Sequence, residues 1–194
     1  PGSVFKPVTM IAGLNAQVVG SNFTTTCTGR LLTYPSLLGP RGKPCWDLDG
    51  HGSGINIASA LKHSCNIYFY EVGLRLRTAK GAAQALNEIS NVAAFLGLGV
   101  PTGIPDLGSI QGAGTLPTSD SFAQFAQLEV NAGTARTLTP YPGEILDITI
   151  GQGIQSYTPL QIVNYMAMLA TGNRYQPFIV DRIVSPDGEV VRQT

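Results

Sequence analysis

The 194-residue chain is poor in charge. Lys and Arg together number 12, Asp and Glu also number 12, and charged residues make up 12% of the sequence. A typical soluble domain has about 25%. A neutral, charge-poor surface argues against nucleic acid or an anionic membrane surface as a partner. No apolar run reaches the roughly 18 residues that a transmembrane helix needs. We therefore expect any membrane contact to be made through a segment outside this chain.

Cysteine is scarce, with Cys27, Cys45 and Cys65 as the three examples. Cys27 and Cys45 flank a turn-rich segment, and in an oxidising compartment a disulfide between them would stabilise the fold by about 3 kcal/mol. Two free thiols are the equal alternative. Cys65 lies within a helical pattern and is expected to be a buried thiol. The spacing of the cysteines with His51 or His63 fits no recognised zinc motif, so the sequence does not predict a metal site.

Glycine (23) and proline (13) are plentiful and predict many turns, while 43% hydrophobic residues suffice for a core. Apolar spacing predicts helices over residues 5–18, 55–63, 66–76, 79–96 and 157–169. Thr158 as N-cap, Pro159 at the first position and Gly172 after the end mark the last helix. Short strands are predicted at 24–26 and 31–34, and a hairpin over 178–191 that turns at 185–188. Residues 120–130 fit either a short helix or an irregular stretch.

A serine stands three positions before a lysine in the opening segment PGSVFKP, residues 1–7. Residues three apart on a helix share a face, so the Ser3 hydroxyl and the Lys6 amine can meet. A serine hydroxyl needs a base to act as a nucleophile, and a lysine can serve when burial lowers its pKa. N–H groups at a helix start can also stabilise an oxyanion. Taken alone, the pattern is more often a capping serine beside a solvated lysine.

A second polar group follows about 60 residues later, in the segment HSCNIYFY at 63–70. The Ser64 hydroxyl and the Asn66 carboxamide are expected to point from a helix–helix junction toward one place. The hydroxyl can relay a proton between a lysine base and a leaving amine. The carboxamide can hold an amide of a peptide substrate and bond to the lysine. Ser-x-Asn by itself is common at helix caps.

In this order, the two motifs resemble those of the transpeptidase domain of penicillin-binding proteins, serine acyltransferases of the Ser-x-x-Lys, Ser-x-Asn, Lys-Thr-Gly type. The resemblance extends over PGSVFKP at 1–7, SCNIYFY at 64–70, LGLG with PTGI at 96–104, and IGQG with TPLQ at 150–161. Gly50-His51-Gly52 is similar to the class B, elongation-type members. The resemblance therefore covers most of the chain.

The resemblance implies a fold and a reaction. The fold is the α+β domain of serine β-lactamases and transpeptidases, here represented by a mainly α part with short strands and a C-terminal β-hairpin. Ser3 would attack the D-Ala-D-Ala carbonyl of a peptidoglycan stem peptide with Lys6 as base, and an amine of a neighbouring stem would then take the acyl group. Ser64 would carry the proton to the leaving amine, and Asn66 would position the substrate. This chemistry requires no metal or organic cofactor.

Partners and location also follow from the resemblance. β-Lactams resemble the D-Ala-D-Ala terminus and would acylate Ser3. Other proteins of cell-wall elongation are expected partners. The domain would act at the extracytoplasmic face of the bacterial cell membrane, with its anchor outside this chain.

The chain departs from the family pattern at the third motif, because neither Lys-Thr-Gly nor Lys-Ser-Gly occurs. In the family this motif lies on a later strand, binds the substrate carboxylate and supplies half of the oxyanion hole. The family's sheet strands before the nucleophile helix are not matched either. We therefore expect residues 1–194 to be the mainly helical half of a transpeptidase domain and to acylate poorly in isolation, since one oxyanion donor is worth roughly 3 kcal/mol.

Two other functions are compatible with the motifs. A serine β-lactamase would need a base aimed at a deacylating water, and no Glu near a Pro- or Asn-containing loop suggests one. A penicillin sensor or interaction domain would keep Ser3 and Lys6 without crosslinking stem peptides.

Several further side chains are assigned structural roles. The aromatic run at 68–70 is expected to pack in the core, and Trp46 to cover the apolar underside of its loop. His51 is expected to bond to nearby backbone rather than line the cleft, and Gln152 to shape a turn.

Overall fold

The structure is a computed structural model that describes residues 1–132 and 142–193. The α-helices within these ranges are α1 (Lys6–Asn15), α2 (Pro35–Leu38), α3 (Ile57–Lys62), α4 (Asn66–Lys80), α5 (Ala82–Phe95), α6 (Ser119–Asn131), α7 (Pro142–Thr149) and α8 (Pro159–Thr171). The strands are β1 (Thr25–Cys27), β2 (Arg30–Leu31), β3 (Lys43–Pro44), β4 (Gly52–Ile55), β5 (Arg182–Val184) and β6 (Val190–Gln193). In the same part of the chain, 3₁₀ segments span Gly2–Phe5 and Pro105–Ile110.

Helix α4 lies at the centre and packs against α1, α5 and α7. Helix α4 is apolar around most of its circumference, so neighbouring elements must cover it on several sides to shield its side chains from water. The aromatic run at 68–70 is buried in this core, as predicted. Gly13 of α1 faces Val72 of α4 so closely that a Cβ at residue 13 would lie 2.6 Å from Val72 Cγ1. The two helices approach this closely because residue 13 has no side chain.

The start of the chain is tied to the end of α7. The Gly2 N–H donates a hydrogen bond to the Gly151 carbonyl at 2.8 Å, and the Thr9 hydroxyl donates to the Thr149 carbonyl at 2.8 Å. Gly151 has φ of 82°. A Cβ there would lie 1.9 Å from the Gly2 carbonyl oxygen, so the contact requires glycine on both counts. The first helical turn is therefore held in one place by a distant turn.

The strands form three antiparallel pairs, β1 with β4, β2 with β3 and β5 with β6, and no larger sheet exists among the described residues. In the first pair Cys27 lies opposite Gly52, and in the second Arg30 lies opposite Pro44. These two pairs bring the segments around residues 27 and 45 side by side. The mainly helical architecture with short strands and a C-terminal hairpin is confirmed.

The last helix has the predicted N-cap and end, with the Thr158 side chain accepting from the Gln161 N–H and Gly172 in the left-handed region. It spans Pro159–Thr171 rather than 157–169, and the predicted hairpin is present with its strands at Arg182–Val184 and Val190–Gln193 rather than over 178–191. Residues 120–130, for which two structures were compatible, are helical in α6. Its N-cap is Thr118, whose hydroxyl accepts from the Ser121 N–H. Helix α7 was not predicted at all.

Four further predicted boundaries are wrong for local backbone reasons. Helix α1 ends at Asn15 rather than 18, because Gln17 takes a left-handed φ of 57°. Helix α4 continues to Lys80, and α5 begins at Ala82 rather than 79, because Gly81 with φ of 82° separates them. The strand predicted at 31–34 ends at Leu31, and α2 follows from residue 35.

Helix α8 and the hairpin β5–β6 present an apolar surface to solvent. Val163 on α8 is 64% exposed, and Val191 on β6 is 67% exposed. Other apolar residues that are more than one-third exposed in this part of the chain are Leu160, Met166, Leu169, Phe178, Ile179, Val180, Ile183, Val184 and Val190. Across residues 1–132 and 142–193, no helix combines the length and apolar character needed to cross a bilayer.

Candidate active site

The Lys6 amine is the centre of a polar cluster. Its side chain is 1% exposed. Lys6 Nζ lies 3.1 Å from Ser3 Oγ, 2.8 Å from Ser64 Oγ, 2.6 Å from the Ser64 carbonyl oxygen and 2.8 Å from Asn66 Oδ1. Ser64 Oγ is 2.8 Å from Ser3 Oγ. The structure thus brings together all four side chains that the sequence singled out.

The hydrogen-bonding capacity of these groups suits a neutral lysine. The Ser64 carbonyl and the Asn66 Oδ1 can only accept hydrogen bonds, whereas the two serine hydroxyls can also donate. A neutral amine has two N–H groups and one lone pair. The two N–H groups satisfy the two obligate acceptors, and the lone pair is then left for a hydroxyl. This arrangement can take a proton from Ser3.

Burial lowers the pKa of Lys6 from its ordinary value of 10.5 to about 8. The cause is lost hydration of the ammonium, which disfavours the charged form. Cys45 and Cys65 act in the opposite direction, because negative charge on a nearby sulfur favours the ammonium. The net effect places the pKa near the range in which a general base is useful at neutral pH.

The local backbone explains how Ser3 and Lys6 come together. Ser3 lies in the 3₁₀ segment Gly2–Phe5 and Lys6 opens α1. Side chains three apart eclipse one another in a 3₁₀ turn. The Tyr165 hydroxyl donates to the Val4 carbonyl and fixes the turn from outside. Ser3 itself is exposed while its neighbouring amine is buried, so substrate can reach the hydroxyl.

Ser64 and Asn66 are placed by the sharp junction between α3 and α4. Ser64 has a left-handed φ of 52°, a region that residues other than glycine seldom occupy. The Cys65 N–H donates to the Ala60 carbonyl at 2.9 Å and closes the end of α3. Helix α4 then begins at Asn66. Three residues separate the two helices, and the side chains on both sides of Cys65 reach Lys6.

A cleft of about 320 Å³ opens above these groups. Its lining residues are Gly2, Ser3, Trp46, Ser64, Asn66, Ile150 and Gln152. The prediction for Trp46 is wrong: the ring is 63% exposed and forms part of the cleft wall, and its Nε1–H donates to the His63 carbonyl at 3.0 Å. Gln152 shapes a turn as predicted, with its N–H bonded to the Asp147 carbonyl at 2.9 Å, and it also lines the cleft. The local sequence around Trp46 and Gln152 gave no indication that either residue lines the cleft.

A thiol cluster lies behind the Ser64–Asn66 junction. Cys27, Cys45 and Cys65 are all free thiols, so the alternative of a Cys27–Cys45 disulfide is not realised. The three sulfurs and a ring nitrogen of His51 lie within 4.8 Å of one another. These four side chains could hold a metal ion, although their spacing in the sequence gave no such indication. His51 is not among the residues that line the cleft, as predicted. Its side chain faces sulfur rather than backbone, because its Nδ1 lies 3.4 Å from Cys27 Sγ and 3.7 Å from Cys45 Sγ.

Hydrogen bonding strongly affects the thiol at residue 45. The pKa of Cys45 is lowered, first by its hydrogen bond with Cys65 and then by N–H groups of Asp47, Asn66 and Ile67. The shared bond and burial raise the pKa of Cys65. Cys45 is therefore the sulfur in this cluster that most readily carries negative charge.

Two curated relatives illustrate the similarity in sequence. The chain is 34% identical over 141 residues to Penicillin-binding protein H of Bacillus subtilis, covering 68% of this chain and 17% of that protein. It is 25% identical over 175 residues to Peptidoglycan D,D-transpeptidase MrdA of Haemophilus influenzae, covering 90% of this chain and 23% of that protein. The chain thus spans about a fifth of these relatives' length.

Solved structures share the fold. Penicillin-binding protein 2B of Streptococcus pneumoniae superposes with a TM-score of 0.71 at 21% identity, covering 100% of this chain and 30% of the other. PBP2 of Helicobacter pylori, solved as a complex with MreC, gives 0.70 at 24%, covering 92% and 29%. Pseudomonas aeruginosa PBP2 in complex with WCK 5153 gives 0.69 at 23%, covering 100% and 40%. The Penicillin binding protein transpeptidase domain family matches residues 1–194, and the chain belongs to this family.

Proposed function

We propose that this chain forms the acylating half of a class B serine D,D-transpeptidase, with Ser3 as nucleophile and Lys6 as general base. The observation that carries the proposal is the contact of a nearly fully buried Lys6 amine with Ser3 Oγ, Ser64 Oγ and Asn66 Oδ1. The names of the relatives support the same reaction.

Acylation begins with proton transfer from Ser3 Oγ to Lys6 Nζ, which lies 3.1 Å away. Ser3 Oγ forms a bond to the carbonyl carbon of the penultimate D-alanine, and that carbonyl oxygen becomes an oxyanion. When the oxyanion collapses, the peptide bond breaks and the last D-alanine leaves as an amine. Ser64 Oγ, 2.8 Å from both Ser3 Oγ and Lys6 Nζ, gives that amine its proton and is reprotonated by Lys6.

Transfer reverses this route. The amine of a second stem peptide attacks the ester carbonyl and loses a proton to the Lys6 and Ser64 pair. The ester bond breaks, Ser3 Oγ regains a proton, and a new amide joins the two stems. Asn66 holds a backbone amide of the donor peptide while its Oδ1 orients the lysine at 2.8 Å.

We further propose that the rest of the domain lies outside residues 1–194. The chain covers 29–40% of the three matched structures described above and contains no Lys-Thr-Gly or Lys-Ser-Gly sequence. The strand that carries this motif would supply the second oxyanion donor and bind the substrate carboxylate. Residues 1–194 would then be the mainly helical half of the transpeptidase domain.

Location and partners follow from the same reading. The substrates proposed are peptidoglycan stem peptides, with β-lactams as mimics, at the extracytoplasmic face of the bacterial membrane. The similarity to a PBP2 solved with MreC supports an interaction with other cell-wall elongation proteins.

Labelling of the complete protein with a fluorescent penicillin tests the proposal. We expect one adduct, which peptide mass spectrometry places on Ser3. Ser3→Ala should remove it, and Ser36→Ala on the exposed helix α2 should not. An adduct on another residue, or an unchanged adduct in Ser3→Ala, would refute the assignment of the nucleophile.

Turnover separates the remaining functions. A transpeptidase should hold the penicilloyl adduct and form crosslinked dimers from stem-peptide donors. Rapid catalytic hydrolysis of the penicillin would instead identify a β-lactamase. A stable adduct without crosslinking in the complete protein would identify a sensor.

A further inference from the structure

We propose that the ion pair between Lys43 and Asp147 is a positioning element of the active site. The pair holds two walls of the cleft at a fixed separation. The width of the cleft then limits the side chains that a β-lactam or a stem peptide can place beside Ser3. The ligand is the one given by the proposed function, on which this role of the pair rests.

The ion pair joins residues that are 104 positions apart in the chain. Lys43 Nζ lies 2.6 Å from Asp147 Oδ1 and 2.7 Å from Asp147 Oδ2, so the ammonium contacts both carboxylate oxygens. The two side chains are only 22% and 32% exposed. The stem of Lys43 lies against the first turn of α7, where a Cβ at Gly143 would be 3.3 Å from Lys43 Cε. Partial burial protects the pair from the screening that weakens ion pairs at an open surface.

Each partner of the ion pair stands shortly before a wall of the cleft. Trp46 follows Lys43 by three residues, and Ile150 and Gln152 follow Asp147 by three and five residues. Trp46, Ile150 and Gln152 all line the cleft. The pair therefore bridges the two segments that carry these residues. Because the segments are remote in sequence, only contacts in the folded chain can set the distance between them.

The backbone carries the position of Asp147 into the turn at 150–152. The Asp147 carbonyl accepts hydrogen bonds from the Ile150 N–H at 3.2 Å and from the Gln152 N–H at 2.9 Å. In the same turn, the Gly151 carbonyl accepts from the Gly2 N–H at 2.8 Å. A displacement of Asp147 would therefore move this wall of the cleft and the residue that precedes the nucleophile.

The segment after Lys43 is short and stiff. Pro44 follows directly, and its ring fixes φ. The Cys45 N–H donates to the Gly29 carbonyl at 2.8 Å, and Trp46 is the next residue. Two residues of restricted backbone thus separate the ammonium-bearing residue from the indole in the cleft. A change in the position of Lys43 is transmitted to Trp46 with little slack.

The ion pair also lies near the interior of the site, through Tyr70. This buried phenol donates to the Pro44 carbonyl at 3.4 Å and forms a hydrogen bond with the Asn66 side chain. Burial is the main cause that raises the pKa of Tyr70, and negative charge on Asp147 adds to it. The carboxylate is therefore close enough to act on a group that contacts Asn66, and Lys43 balances its charge.

Acylation of the complete protein by two penicillins that differ in the bulk of the side chain tests the proposal. Asp147→Asn and Lys43→Met each remove the ion pair at nearly constant side-chain volume, so the two walls can separate. We expect the rate constant for the small penicillin to fall, because the ligand is held less firmly. The ratio of the rate constants, bulky over small, should rise by about threefold or more. A general loss of folded protein would lower both rate constants by one factor and leave the ratio unchanged.

A conservative exchange and a matched control separate the charge contact from other effects of substitution. Lys43→Arg keeps a cation that can bond to both carboxylate oxygens, and it should keep the wild-type ratio. The double variant Lys43→Met/Asp147→Asn should match either single variant, because the second change has no pair left to break. Arg182→Met removes the cation of the exposed pair with Asp181 on the hairpin, and it should leave the ratio unchanged.

Fluorine NMR gives a readout that does not depend on acylation. The complete protein labelled with 5-fluorotryptophan should show a signal that Trp46→Phe removes. We expect this signal to move in Asp147→Asn, although the two residues are remote in sequence, and to stay in place in Arg182→Met. That shift in a protein that forms no Ser3 adduct would refute the proposed reaction but support the ion pair as the element that fixes the cleft. An unmoved Trp46 signal in Asp147→Asn, or an unchanged ratio of acylation rate constants in a protein that does acylate, would overturn this role of the pair.

Discussion

The pH dependence of acylation is a direct measure of the environment of Lys6. With a pKa of about 8, the amine is neutral in about one molecule in eleven at pH 7, against about one in three thousand at the ordinary value of 10.5. Burial therefore raises the active fraction roughly 300-fold at that pH. The second-order rate constant for penicillin acylation should rise about ninefold from pH 6 to 7 and just under twofold from pH 8 to 9.

Stopped-flow labelling of the complete protein between pH 6 and 9.5 would measure this profile. Asn66→Asp places a carboxylate where Oδ1 now lies 2.8 Å from Lys6 Nζ, and negative charge there favours the ammonium. The midpoint should move to higher pH. Asn131→Asp on the exposed end of α6 adds the same charge elsewhere and should leave it unchanged. A rate constant that is flat over this range, or equal midpoints in the two variants, would show that Lys6 is not the base.

Two stability predictions concern the elements that hold the site. Gly151→Ala should lower the free energy of unfolding more than Gly153→Ala does. Both residues have φ above 80°, but a Cβ at 151 meets the Gly2 carbonyl oxygen at 1.9 Å, whereas at 153 the nearest atom is Ile148 Cγ1 at 3.5 Å. Equal losses in urea denaturation of the complete protein would contradict the proposed close contact. Thr158→Ala should cost about 1 kcal/mol through loss of the α8 cap, and Thr158→Ser should largely retain it; a full loss in the serine variant would rule out the cap as the cause.

The sequence alone predicts only those contacts of the site that join residues close together in the chain. Ser3 and Lys6 are three residues apart, so helical geometry alone predicts their contact. Ser64 and Asn66 meet Lys6 across 58 and 60 residues, and no periodicity encodes that meeting. It was anticipated from the resemblance to a family. The start and the end of α8 were likewise predictable, because Thr158 and Gly172 each act on the backbone within one helical turn.

The thiol cluster and the place of Trp46 in the cleft could not be predicted from the sequence. Both depend on contacts between segments that are distant in the chain. Cys27 and Cys45 come together through the pairing of four short strands and the close approach of Gly50 to Cys27. The conformation of Gly50, with φ of 83°, is set by that packing rather than by its neighbours in sequence. Known metal-site motifs are recognised by ligands at short spacing within one hairpin. Here the three thiols and the imidazole come from separate segments of the chain.

The water-facing valines of α8 and the hairpin have a practical consequence. Residues 1–194 expressed alone would expose this apolar surface to solvent, with Val163 64% and Val191 67% exposed. Exposed apolar surfaces drive self-association. Preparations of this length are expected to elute as oligomers or to precipitate on concentration. Mild detergent or a solubilising fusion partner, either of which can cover the exposed apolar side chains, should shift these preparations toward monomers.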